Sequence, residues 1–233
     1  MKISNLSGTI VNVITVLVGS GLGLLLGEKL PERFKNTVIQ AIGIFTFLIG
    51  TSMMLKADNF IIVFLALIVG GITGEALRLE EGLNTLTERL RKKVSPNSPH
   101  FTEGFITATL IFCVGAMTVV GSIQEGLTGD ATLLYTKSVM DGITSLTLAS
   151  GLGIGVMFSA VSVFLIQGGL TLLGSSLSFL MGASYINNLT STGGLLIIGL
   201  GFEILGIKKI KVVNLLPALI YAPLFVYIVS LFK

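Results

Sequence analysis

"YTKSVMDGIT" (135–144) sets Lys137 and Asp141 four residues apart in a chain that is otherwise strongly apolar. Whether this stretch crosses a membrane decides the number of spans, their directions and the place of any polar site. The surrounding composition fixes the class. Of 233 residues, 52% are hydrophobic and 12% charged, with a mean hydropathy of +0.93. A soluble domain carries about twice that charged fraction. Apolar runs near twenty residues recur along the chain, which is the length a helix needs to cross a bilayer. The fold class is all-α, a polytopic membrane protein forming a single membrane domain over 1–233.

Working outward, charge and Gly/Pro/Asn punctuation divide the chain into segments at 6–27, 37–55, 60–77, 102–126, 131–150, 156–174, 190–207 and 212–232. "KADN" (56–59) is a tight turn, "GLGIG" (151–155) a break, and Pro217 and Pro223 bend the last span. The start could be a signal peptide, but its core is overlong and no A-x-A site precedes the next charges, so it reads as the first span. Residues 78–93 differ from the rest. Leu79, Leu83, Leu86 and Leu90 share one helical face and charges the other, so 78–100 is a cytoplasmic amphipathic helix and loop on the membrane surface.

Hydropathy alone argues against 131–150 as a span, since each charge at mid-bilayer costs about 2.5–3.5 kcal/mol on insertion scales. The distribution of basic residues argues for it. With eight segments, Lys29, Arg33 and Lys35, then Arg78, Arg89, Arg91, Lys92 and Lys93, then Lys208, Lys209 and Lys211 share one side. Those are eleven of the fifteen basic residues, and the bias marks the cytoplasmic face. Lys2, Lys56 and Lys233 then lie outside with both termini. With seven spans "KKIK" (208–211) moves outside, against the bias. Lys137 and Asp141, at i and i+4, share a face and can pair. Thr136, Thr144 and Thr147 add polar atoms. The alternatives are a re-entrant segment or an external amphipathic loop.

Three consecutive segments resemble three later ones. "GLGLLLG" (21–27) matches "GLTLLG" (169–174), "GIFTFLIGTSMML" (43–55) matches "GLLIIGLGFEILG" (194–206), and "IIVFLALIVGG" (61–71) matches "VVNLLPALIYA" (212–222). Repeat one is 6–77 and repeat two 156–232, with 102–150 as a central pair of segments. In the eight-segment topology the repeats are inverted, an architecture of secondary transporters whose sites lie near the midplane.

Lys137 and Asp141 lead the candidates for a substrate or ion site, because ionisable groups inside a membrane are costly to keep; the bland account is a structural ion pair. Gln124 and Glu125 end the fourth segment, as a gate or ion-attracting carboxylate near an entrance, or as an interfacial cap in water. Asn187, Asn188, Thr190 and Ser191, with Thr192, cluster where the seventh segment begins. A helix N-terminus there could bind an anion, or the residues could be ordinary caps. Glu75 and Glu203 read as interface carboxylates. Asn12, Thr15, Gln40, Thr46, Thr51, Ser52, Gln167 and Asn214 read as interhelical glue. Gly19, Gly23 and Gly27 allow close helix approach, within the chain or in a homodimer. Cys113 is the only cysteine and His100, in a polar loop, the only histidine. No Walker, HExxH, Gly-x-Ser-x-Gly or CxxC motif occurs, so no enzyme, metal or cofactor is expected. The basic residues lie between spans, so nucleic acid is not an expected partner; the lipid bilayer is.

"GAMTVVGSIQEGLTGD" (115–130), "TKSVMDGITSLTLASGLGIGVMFSA" (136–160) and "YINNLTSTGGLLIIGLGFEILGIKKIKVVNLLPAL" (185–219) together resemble the YdfK/YqgA-type bacterial membrane proteins, a domain of unknown function. The resemblance runs over nearly the whole chain. It implies a bacterial cytoplasmic-membrane location and supplies no substrate and no site. The residues themselves point to a secondary transporter or exchanger of an ion or small polar solute, with a channel-like pore or a non-transporting membrane scaffold as alternatives.

Overall fold

The computed structural model describes residues 6–28, 31–94 and 98–231. Lys2, Lys29, Lys233, part of the 94–100 loop and the side chains of Lys35 and Leu90 lie outside the described residues. The described chain is helical: α1 Ser7–Glu28, α2 Glu32–Met54, α3 Phe60–Ala76, α4 Leu79–Val94, α5 Phe101–Cys113, α6 Ala116–Thr128, α7 Thr132–Leu152, α8 Gly155–Leu172, α9 Ala183–Ile204 and α10 Ala218–Ser230. Short 3-10 turns, Ser178–Met181 and Val212–Leu215, precede α9 and α10.

Ser7–Gly27, Asn36–Met54, Gly155–Leu172 and Val212–Ser230 are each long and apolar enough to cross a membrane. Two bent pairs, α3 with α4 and α5 with α6, raise the number to six. Helices α7 and α9 have the length, at 21 and 22 residues, but are more polar. This is a multi-spanning membrane protein with four to six apolar helices.

Three local expectations need correction. The fourth segment, expected as one helix over 102–126, is broken: α5 and α6 meet at 57° around Val114–Gly115. The hydroxyl of Thr118 donates to the carbonyl of Phe112 at 2.7 Å, satisfying a group the break releases. Segment 190–207 begins earlier, at Ala183 after Gly182, so Asn187 to Thr192 lie inside α9 and do not form its N-terminus. Segment 212–232 splits, with Pro217 preceding α10, where its missing N–H costs nothing. The amphipathic helix α4 also docks partly inward. Leu83 is half-buried and Thr102 donates to the hydroxyl of Thr87 at 3.0 Å, while Leu86 stays exposed.

Close approaches fix the relative directions. Along α1, Gly19, Gly23 and Gly27 lie against the carbonyls of Gly142, Leu146 and Ser150. The constant spacing makes α1 and α7 parallel, and any Cβ at these glycines would collide with α7 backbone. The glycine face that could have served a homodimer is therefore filled within the chain. Gly43 lies against Leu205 and Gly50 against Gly194, so α2 and α9 are antiparallel. Gly70 approaches Ala218 and Gly74 approaches Asn214, so α3 and α10 are antiparallel too. Gly168 nears Thr9 while Gly21 nears Met157, which sets α8 antiparallel to α1. Gly155 abuts Phe101 and Thr109 bonds Ser162, so α5 runs parallel to α8.

Contacts also sort the connections. At one end, Tyr135 at the start of α7 and Glu125 near the end of α6 both bond Ser7, and the α2–α3 turn bonds the start of α9 through Asp58–Asn187 and Asn59–Asn188. At the other, Glu75 accepts from Lys211 at 2.7 Å and from Asn214 at 2.6 Å, and Glu80 accepts from the Val213 amide. These bonds join the α3–α4 bend to the basic "KKIK" turn. The main core lies between, where Val16, Ile42, Phe112, Leu148 and Val156 pack.

Candidate functional site

Helix α7 sorts its residues by face. Leu134, Lys137, Ser138, Asp141, Ser145 and Leu148 are buried, while Tyr135, Val139, Met140 and Ile143 are exposed and apolar. The charged face thus points into the bundle and an apolar face points out, which is what a helix in lipid requires. Thr136 and Thr147, expected near the charges, instead point outward and donate to their own i−4 carbonyls.

Lys137 and Asp141 are 5% and 7% exposed and form an ion pair. The ammonium also lies 5.9 Å from the centroid of the Phe112 ring, at the end of α5 beside the break. Asn12, on α1, donates from Nδ2 to Asp141 Oδ2 and to Gln167 Oε1, both at 2.9 Å. Gln167, on α8, donates from Nε2 to Thr9 Oγ1 at 3.3 Å. A hydrogen-bonded row therefore runs Lys137–Asp141–Asn12–Gln167–Thr9 across three helices. Asn12 and Gln167 are fully buried, yet Asn12 Oδ1 has no partner.

One turn of α1 away, Glu125 is fully buried. Its Oε1 accepts from the Gly8 amide at 2.8 Å and from the Ser7 hydroxyl at 3.0 Å, so it caps the start of α1, where an anion is favoured. Its Oε2 has no partner. Glu125 thus departs from the expected cap in water, because it is sealed against α1. Gln124 points the other way: it is partly exposed and donates to Asp130 at 2.8 Å, outside the row.

The second polar cluster is not brought to this site by any bond among the described residues. Asn187 is partly exposed and donates to Asp58 at 2.9 Å. Asn188 accepts from the Asn59 amide at 3.2 Å and donates to the Ser184 carbonyl. Ser191 donates to the Met54 carbonyl, Thr192 to the Asn188 carbonyl, and Thr190 is buried. These residues tie α9 to the α2–α3 turn. An anion site here would need a helix N-terminus, and the helix starts at Ala183.

Asn12 and Gln167 are the members that sequence reasoning assigned to glue. Their signal was present: each is a lone amide in a charge-free apolar segment. Ser7, Gly8, Thr9 and Phe112 gave no such signal, since small polar residues and phenylalanines are common throughout the chain. Among the described residues no group of three or more His, Cys, Asp or Glu side chains is arranged to hold a metal ion.

Two bacterial proteins resemble the chain over nearly its whole length. The "Uncharacterized membrane protein YdfK" of Bacillus subtilis (strain 168) is 33% identical over 229 residues, covering 97% of each chain. The "Uncharacterized protein YqgA" of Escherichia coli (strain K12) is 33% identical over 222 residues, 92% of this chain and 94% of its own. No solved structure matches. The family described as "Protein of unknown function (DUF554)" matches residues 7–227. With its helical bundle and these relatives, the chain is a multi-pass bacterial inner-membrane protein and belongs to the DUF554 family.

Proposed function

We propose that the protein is a secondary transporter or exchanger of an ion or small polar solute, with its site at the Lys137–Asp141–Asn12–Gln167 row. The observation that carries this reading is a buried ion pair whose amide neighbour keeps an unpartnered oxygen, at the crossing of α1, α7 and α8. A purely structural pair is stable only when its remaining groups are satisfied.

Helix directions support eight crossings with both termini outside. Helices α1 and α7 are parallel and α8 opposes both, as alternation demands if α7 crosses. The bonds between the α3–α4 bend and the "KKIK" turn bring the two basic regions together, as an even number of crossings between them would. Seven spans would give an odd number.

The packing also supports an inverted repeat. An offset of 151 maps Gly43 onto Gly194 and Gly50 onto Gly201. It exchanges the Gly50–Gly194 contact with the Gly201–Gly43 contact, as a two-fold axis through the α2–α9 crossing would. The same offset turns Gly70–Ala218 into Tyr221–Leu67, residues that pack on one cluster with Ala66 and Ala222. The parallel pair α1–α7 finds its counterpart in α8–α5, so the central segments exchange with each other as well. The broken helix α5–α6 beside the charge pair fits sites formed at discontinuous helices.

The test needs no knowledge of the solute. In a Cys113→Ala background, cysteines replace Ser138 and Ser145, both fully buried on α7. Alternating access predicts that an impermeant thiol reagent reaches position 138 from outside and 145 from inside. A channel-like pore opens both to either side. A non-transporting scaffold protects both, and that result would end the transport reading. Cysteines at Ser184 and Lys209 check topology: eight crossings predict labelling of the first and protection of the second in intact cells.

A further inference from the structure

Around the first half of α1 the structure buries three ionisable side chains: Glu125 from α6, and Lys137 and Asp141 from α7. No other charge enters among the described residues. Ser7–Gly27 of α1 and all of α8 carry no charged residue, and Glu125 is the only one on α6. Lys137 neutralises Asp141. Glu125 receives two hydrogen bonds and the partial charge of a helix N-terminus, but no cation among the described residues. One negative charge is therefore left over in a region of low dielectric, where an unpaired ion costs several kcal/mol.

The unpartnered atoms point the same way. Among the described residues, the fully buried oxygens without a partner include Glu125 Oε2, Asn12 Oδ1 and Ser122 Oγ. Ser122 precedes Glu125 by one turn of α6. Gly8, which bonds Glu125, and Asn12 lie four residues apart on α1, about 6 Å of helix rise. Asn12 cannot relieve its oxygen by flipping its amide, because both Nδ2 hydrogens are used and one goes to a carboxylate. A carboxylate oxygen, an amide oxygen and a hydroxyl without donors are hard ligands suited to a small monovalent cation.

We infer that this region binds one sodium ion through Glu125, with Ser122 and Asn12 as further oxygen ligands. The inference deepens the transport reading by naming a coupling ion. It is tested by binding, so either idea can fail alone.

The purified protein is unfolded thermally in detergent, in sodium chloride or choline chloride at equal ionic strength and one pH. A bound cation stabilises only the folded state, so a saturable rise in midpoint of about 5 °C is expected with sodium and not with choline. Asn12→Ala weakens the rise, and Glu125→Gln removes it by removing the excess charge. Two results overturn the inference: a wild-type midpoint indifferent to sodium, or a Glu125→Gln variant that keeps the wild-type response. The wild-type titration stands even where a variant does not fold.

Discussion

The molecule contains two buried polar clusters that look alike in sequence and differ in how completely they are satisfied. Around α9, Asn188, Ser191 and Thr192 send their bonds to backbone groups of Ser184, Met54 and Asn188. That cluster is uncharged apart from the exposed Asp58, and it closes a joint between α9 and the α2–α3 turn. Around α7, the bonds run from side chain to side chain, the partners are ionised, and oxygens of Asn12 and Glu125 are left over. Backbone partners are fixed and make glue. Ionised side chains with spare bonding capacity can be rearranged by a ligand, and on that difference rests the proposal of a site at α7.

The comparison is broken most directly by removing charge. Asp141→Ala leaves Lys137 buried without its partner, and the expected loss is about 3–5 kcal/mol. Replacing both, Lys137→Met with Asp141→Leu, recovers most of that stability while abolishing function. Thermal midpoints of the single and double variants check this. A double variant that stays as unstable as the single ones would assign the pair to holding the fold together.

The second strongest effect sharpens the comparison through the glycines beneath each cluster. At Gly19 a side chain would strike the carbonyl of Gly142, and backbone cannot move aside. Gly19→Val should cost about 3 kcal/mol by prising α1 from α7, and it should disturb the charge row as well. At Gly193 the obstacle is the Val114 side chain, which can turn. Gly193→Ala should cost about 1 kcal/mol and spare any solute phenotype.

A smaller effect belongs to the joint itself. Ser191→Ala removes a 2.8 Å bond to the Met54 carbonyl and should cost about 1 kcal/mol. Cysteine accessibility at positions 138 and 145 should be unchanged. A change there would mean that the joint is coupled to the site.

These outcomes bear on what the sequence could and could not reveal. The apolar periods, the turn at Asn59, the break at 151–155 and the pairing of Lys137 with Asp141 were legible, because each depends on residues close in sequence. The break inside 102–126 was not. Its apolar run is continuous through Phe112, Cys113 and Val114, and only long-range packing separates the two halves: Gly155 at the start of α8 abuts Phe101 of α5, while Gly126 of α6 lies against Thr171 at its end. Asn12 and Gln167 are 155 positions apart and meet only because α1 and α8 cross. The polar run at 185–194 misled for a related reason. Polar residues commonly mark a helix start, but here they face the α2–α3 turn from within a helix that begins at Gly182–Ala183.

Adjacent residues of α6 make the same contrast on the smallest scale. Glu125 is sealed against α1, while Gln124 reaches Asp130 in the exposed α6–α7 connection. The Thr132 hydroxyl and amide, and then Gln124, hold the Asp130 carboxyl below its ordinary value. A carboxyl depressed in the folded state contributes stability above its unfolded pKa, and that contribution disappears as pH falls through the folded value. Below about pH 4 the wild type should therefore lose a small increment that Asp130→Asn lacks throughout. Being fully exposed, the group is screened by solvent and the increment should fade in high salt. Acid titrations of the wild type and Asp130→Asn at low and high choline chloride check this. A difference that persists undiminished in high salt would mean that the Asp130 carboxyl is shielded from solvent, and the contrast with the sealed Glu125 next to Gln124 would be lost.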